Sequence, residues 1–133
     1  MAAFALIRFY KSFWNQRPLF YDEMGEQSLI VNTSQGLIVI TGCSHPGIVN
    51  VLKRAKMIVN RKVYLVFGGF HLKENSDEEI MEIVSDLKDL GVLKVGPTHC
   101  TGDKAIELFK KEYGDDFVQM GVGRVIEANR LIH

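Results

Sequence analysis

Val63-Tyr-Leu-Val-Phe67 is apolar at every position. A strand with one wetted face alternates polar and apolar residues, so a continuous apolar run marks a strand covered on both faces, as in a parallel sheet with helices packed on it. The flanking chain must then supply the covering layers. It reads as helix at Pro46–Val59, Ser76–Leu90 and Gly102–Tyr113, and as strand at Lys62–Phe67, Leu93–Val95 and Phe117–Val122. Ser76-Asp-Glu-Glu79 has the form of a capping box, Ile80, Ile83, Val84 and Leu87 recur on one helical face, and Pro46 suits a first helical position. Gly91 and Gly114 supply stops.

Ahead of this alternation, Ser28–Asn32 and Leu37–Thr41 flank the turn Thr33-Ser34-Gln35-Gly36 and read as a β-hairpin. Right-handed β-α-β crossovers keep successive helices on one side of a sheet that grows in one direction. An α/β (α+β) unit is therefore expected over residues 25–133, with one mixed sheet and helices on one face. Residues 1–24 mix apolar, aromatic and basic residues without a clean period and read as an N-terminal arm, helical or irregular. The helix-free face, lined by Val63–Phe67 and Leu37–Ile40, is expected to expose more apolar surface than a soluble monomer tolerates. A homodimer packed sheet on sheet, or a partner chain, is the expected cover.

The length of 133 residues fits one domain. Sixteen Lys plus Arg balance sixteen Asp plus Glu. With no net field to gather polyanions, nucleic acid is not an expected partner. Nor is a membrane, since apolar runs stop well short of the roughly 20 residues needed to span a bilayer. Met1 to Ile7 meets Arg8 without a basic leader region or a small-residue cleavage site, so a cytoplasmic location is expected. The two cysteines, Cys43 and Cys100, each lie near a histidine and are expected to stay reduced, serving metal, thiol or catalytic chemistry.

Three histidines hold equivalent places: His45 in Thr41-Gly-Cys-Ser-His-Pro-Gly47, His71 in Phe67-Gly-Gly-Phe-His-Leu72, and His99 in Gly96-Pro-Thr-His-Cys-Thr-Gly102. Each follows an expected strand and precedes an expected helix. Loops at the carboxyl ends of strands converge in open α/β sheets, so the three imidazoles should share one region, as metal ligands or acid–base groups. No HxH, HxxxH or HExxH pair accompanies them, and spacing alone leaves metal and non-metal uses open. Ser44 and Thr101 read as helix N-caps, and Asp103 as a favourable first-turn carboxylate.

Taken together, Glu26-Gln-Ser-Leu29, Gly36-Leu-Ile-Val-Ile-Thr-Gly-Cys-Ser-His45, Gly68-Gly-Phe-His-Leu72 and Pro97-Thr-His-Cys-Thr-Gly102 resemble the C-terminal half of metallo-β-lactamase-fold hydrolases. The resemblance is strongest to the dihydropteroate-synthase-like branch, which includes a methanopterin-pathway synthase joining a dihydropterin to ribofuranosylaminobenzene phosphate. It implies half of an αββα sandwich and a metal, zinc or another divalent ion, at one edge. It also implies metal-ligand roles for His45 and His99, a catalytic, substrate-facing role for His71, and Cys43 and Cys100 beside the metal or as possible ligands.

In that family the other half carries a His-x-His-x-Asp-His motif that this chain lacks. The implied function is thus a hydrolase or pterin-transferring synthase relative, acting on a phosphate- or pyrophosphate-bearing small molecule and needing the missing half. The competing expectation is a non-catalytic binding or assembly module. A thiol enzyme using Cys43 or Cys100 is a third.

Overall fold

In the computed structural model, which describes residues 3–9 and 26–127, the sheet grows outward from the hairpin that the Thr33–Gly36 turn sets up. Strands β1 (Ala3–Phe9), β2 (Glu26–Thr33) and β3 (Gly36–Thr41) are followed by α1 (Ile48–Ile58), β4 (Val63–Gly69), α2 (Asp77–Asp89), β5 (Lys94–Thr98) and α3 (Asp103–Tyr113). The five strands lie in chain order, β1-β2-β3-β4-β5. The first two pairings are antiparallel and the next two parallel, so the sheet is mixed as expected. A register shift between Leu37 and Ile38 pairs them with Val63 and Leu65 and leaves Tyr64 as the extra residue.

The helices cover one face. Buried side chains of all three helices, among them Ile48, Leu52, Ile80, Leu87 and Phe109, join Ile30, Leu37, Val39, Val66 and Val95 of the sheet in one cluster. Phe70 and Phe109 meet edge to face with ring centres 5.4 Å apart, the arrangement that aromatic quadrupoles favour. On the other face Ile38, Tyr64 and Leu65 form a second cluster, with Val31, Ile40, Phe67 and Val118 packed against it and no helical residue in it. Ile38, Tyr64 and Leu65 are nonetheless only 8%, 6% and 1% exposed in the single chain. The large exposed face expected from the sequence is thus reduced to the partly buried residues around them.

Three expectations are corrected. Residues 3–9 form a strand paired to β2, because Phe4, Leu6 and Phe9 sit in a run that extends as readily as it coils and finds a β2 edge to bond to; residues 10–24 of the arm lie outside the described residues. Phe117–Val122 is not a strand: Phe117 makes one parallel bridge to Val95, and the chain then leaves the sheet. Pro46 precedes α1, whose N-cap is Gly47 at φ 95°, a backbone state that suits glycine. The capping box at α2 forms as read, with the Ser76 hydroxyl accepting from the Glu79 N–H and the Glu79 carboxylate accepting from the Ser76 N–H.

Candidate metal site at the strand ends

Three loops meet at the carboxyl ends of β3, β4 and β5, and hydrogen bonds between them fix their relation. The Ser44 hydroxyl donates to the Gly69 carbonyl at 2.6 Å and the Thr41 hydroxyl to the same oxygen at 3.1 Å, while the Gly69 N–H donates to Gly42 at 2.7 Å. The Thr101 hydroxyl accepts the Phe70 N–H at 3.0 Å and donates to Thr98 at 2.6 Å. Ser44 and Thr101 are therefore not helix caps. Both are buried, and a buried hydroxyl goes to the nearest unsatisfied backbone group, here in the neighbouring loop.

Each loop also holds one non-glycine residue in the left-handed region: Ser44 at φ 61°, His71 at φ 52° and His99 at φ 55°. Such residues are uncommon and cost of order 1–3 kcal/mol where the surroundings hold them, typically at functional sites. His99 lies in the short 3-10 turn His99–Thr101 that joins β5 to α3.

The imidazoles of His45 and His71 are in edge-to-face contact, with ring centres 4.5 Å apart. Glu26 Oε1 lies 3.8 Å from His45 Nδ1, and Glu26 Oε2 is buried with no hydrogen-bond partner among the described residues. The His71 pKa is lowered from 6.5, first by desolvation of its ring and then by the neighbouring His45, with Glu26 opposing. In the same loop cluster, Cys100 Sγ donates to the Cys43 carbonyl at 3.4 Å. Burial pushes the Cys100 thiol up, Cys43 beside it adds to the rise, and a hydrogen bond from the His71 backbone opposes it.

The ligand atoms of Cys43, His99 and Cys100 all lie within 4.8 Å of one another. Two sulfurs and one imidazole nitrogen form a donor set that suits a metal such as zinc, so the group is chemically able to hold one. The structure thus brings His45 together with His71, and His99 together with both cysteines. Glu26 was not picked out as a site residue from the sequence. The hairpin register carries the signal: Ser28 pairs with Thr41, so the start of β2 must lie beside the loop that follows β3.

No family model matches the chain. It is 44% identical over 107 residues to the 7,8-dihydropterin-6-methyl-4-(β-D-ribofuranosyl)-aminobenzene-5'-phosphate synthase of Methanocaldococcus jannaschii, an alignment covering 80% of this chain and 35% of that protein. A second protein of the same organism, uncharacterized, is 39% identical over 107 residues, covering 79% of this chain and 38% of that one. The crystal structure of a metal-dependent hydrolase of the β-lactamase superfamily superposes with a TM-score of 0.74 at 44% identity, covering 78% of this chain and 41% of that one. The chain spans little more than a third of the length of the curated relatives it matches. Among the described residues no helix is long and apolar enough to cross a membrane.

Proposed function

We infer the chemistry of this chain from the family to which it belongs, the metallo-β-lactamase superfamily on the side of the methanopterin-pathway synthase: a metal-dependent, hydrolase- or synthase-like reaction on a small phosphate-bearing molecule. The observation that carries the reading is the meeting of imidazole and thiol donors at the ends of β3, β4 and β5. A bound divalent cation, zinc being the first choice for nitrogen and sulfur donors, would polarise a phosphoryl oxygen and acidify coordinated water.

In this reading His45 and His99 hold the ion, and Glu26 orients the His45 ring from its Nδ1 side. His71, exposed and set against His45, faces the substrate and moves a proton at a ring nitrogen. The phosphate-bearing substrate class rests on the name of the synthase relative. The rest of the site comes from outside these residues, through a second copy or a chain carrying the remaining part of the relatives' length. The partly buried Val31, Ile40 and Phe67 on the helix-free face support its docking there.

The test is hydrolysis of bis(p-nitrophenyl) phosphate by the zinc-loaded chain, alone and with the complementing segment of a relative, alongside metal analysis. Metal-dependent turnover that falls by about 100-fold or more in His71→Ala, at unchanged zinc content, is expected. Bound metal with no turnover in either arrangement overturns the enzyme reading and favours the binding or assembly module. Light scattering checks the second copy: a mass near 15.0 kDa at micromolar concentration excludes the homodimer.

A further inference from the structure

Cys43 and Cys100 come from different loops, 57 residues apart, yet the thiol of one reaches the backbone of the other. The strand beneath them is bare by necessity. A Cβ placed on Gly69 would lie 2.7 Å from Cys100 Sγ and 3.1 Å from Cys43 Cα, so the two loops can close over β4 only because position 69 has no side chain. His99 is brought into the same space by its left-handed backbone at φ 55°, a conformation that L residues adopt only where the surrounding structure dictates it. Three independent devices therefore converge on one spot: a glycine floor, a strained histidine and a pair of thiols.

We propose that Cys43, Cys100 and His99 together form a thiolate–imidazole site that directly ligates a thiophilic divalent cation of the zinc, cobalt or cadmium kind, with the cysteines as ligands and not as neighbours of a histidine-bound metal. The proposal rests on the metal-dependent reading above, keeps His99 as a ligand, puts the two sulfurs in the place which that reading gives to His45, and adds the chemical class of ion. The mutual spread of 4.8 Å or less among the three donor atoms is close to that of a preformed tetrahedral face, in which ligand bonds of about 2.0–2.3 Å put donors somewhat under 4 Å apart. Small side-chain rotations close the difference. Two sulfurs select against magnesium, calcium and manganese, which prefer oxygen donors. Three protein ligands leave the fourth position open, the condition for a metal that acts on a substrate.

The groups around the trio agree with this assignment. The hydroxyls of Thr41, Ser44 and Thr101 are already committed, the first two to the Gly69 carbonyl and the third to Phe70 and Thr98, so they hold the loops and leave the thiols as the available metal donors. Glu26 stands against His45, and the trio contains no carboxylate. The carboxylate and the thiols thus fall into separate donor groups.

The experiment is a cobalt(II) titration of the reduced 133-residue chain under nitrogen, followed in the near ultraviolet for sulfur-to-cobalt charge transfer, with X-ray absorption at the zinc edge of the zinc form. The expected result is saturation at one cobalt per chain, a charge-transfer band, and two sulfur neighbours around zinc. Cys43→Ser and Cys100→Ser should each weaken cobalt binding by more than the roughly 10–100-fold that losing an outer partner of a ligand costs. The sulfur count is taken on the unaltered chain, so it decides the matter even if a variant fails to fold. Cobalt bound without the band and lost in His45→Ala overturns the proposal while leaving the metal-dependent reading intact. Sulfur-ligated zinc in a chain with no phosphodiesterase turnover upholds the site and counts against the enzyme reading alone, and absence of any binding overturns both.

Discussion

The Thr101 hydroxyl, with none of its residue exposed, accepts the Phe70 N–H at 3.0 Å across 31 residues of chain. Through that one bond the turn carrying His99 and Cys100 is held against the loop carrying His71. Replacing Thr101 with Val keeps the shape and orphans a buried N–H. The expected cost is about 1–3 kcal/mol of stability, read from urea unfolding, together with faster amide exchange at Phe70 and His71. Wild-type exchange rates at those two amides would show that the bond does not tie the loops.

Gly68 tests the junction of β3 and β4. Its φ of 127° is disfavoured for residues with a side chain, and an added Cβ would overlap the Thr41 carbonyl oxygen. Gly68→Ala should destabilise the chain by about 3 kcal/mol or more, since backbone strain and a backbone clash act together. A midpoint within error of the wild type would mean that β3 and β4 can move apart at this end.

Ser76→Ala should cost about 1 kcal/mol, because it removes half of a formed capping box from α2. Restoring an oxygen acceptor with Ser76→Asp should recover most of the loss. Thermal unfolding of the three proteins side by side is sufficient.

Alkaline stability should depend on Tyr113. Burial, with Asp116 adding to it, pushes its hydroxyl up to about 12 from the ordinary value of 10.0. The folded state holds this proton more tightly than the unfolded state, so the contribution is fully present below pH 10 and is lost as the pH rises from about 10 to about 12. Tyr113→Phe removes the ionisation and should flatten the loss of stability over that window. Parallel alkaline curves for the two proteins would contradict the assignment.

The fold was legible wherever one residue type had one physical meaning. The continuous apolar run at Val63–Phe67 announced a strand covered on both faces, and Ser76 with Glu79 announced the start of a helix. The β1 strand was not, because its residues carry no period and its pairing depends on a β2 edge far along the chain. Among the site residues, three histidines at three strand ends could be placed from the β-α alternation. The division of donors, with His45 against His71 and Glu26, and His99 against the cysteines, could not. It depends on left-handed backbone at His71 and His99, for which the local sequence gives no sign. Ser44 and Thr101 were misread for a related reason: each precedes a helix, yet each hydroxyl is spent on a neighbouring loop.

Among the described residues strand β5 ends the sheet, and its outer side meets the rung that Phe117 and Val118 make with Val95. Pro97 sits in the same strand and offers no N–H. A long, unguarded outer strand is a template on which another chain can add itself, the first step of aggregation. The proline and the returning Phe117-Val118 segment leave little of β5 free for such pairing, and neither has a part in the metal chemistry. Shortening the chain behind Asp116 would expose the Val95 carbonyl and should make the chain precipitate at a lower concentration than the full-length one.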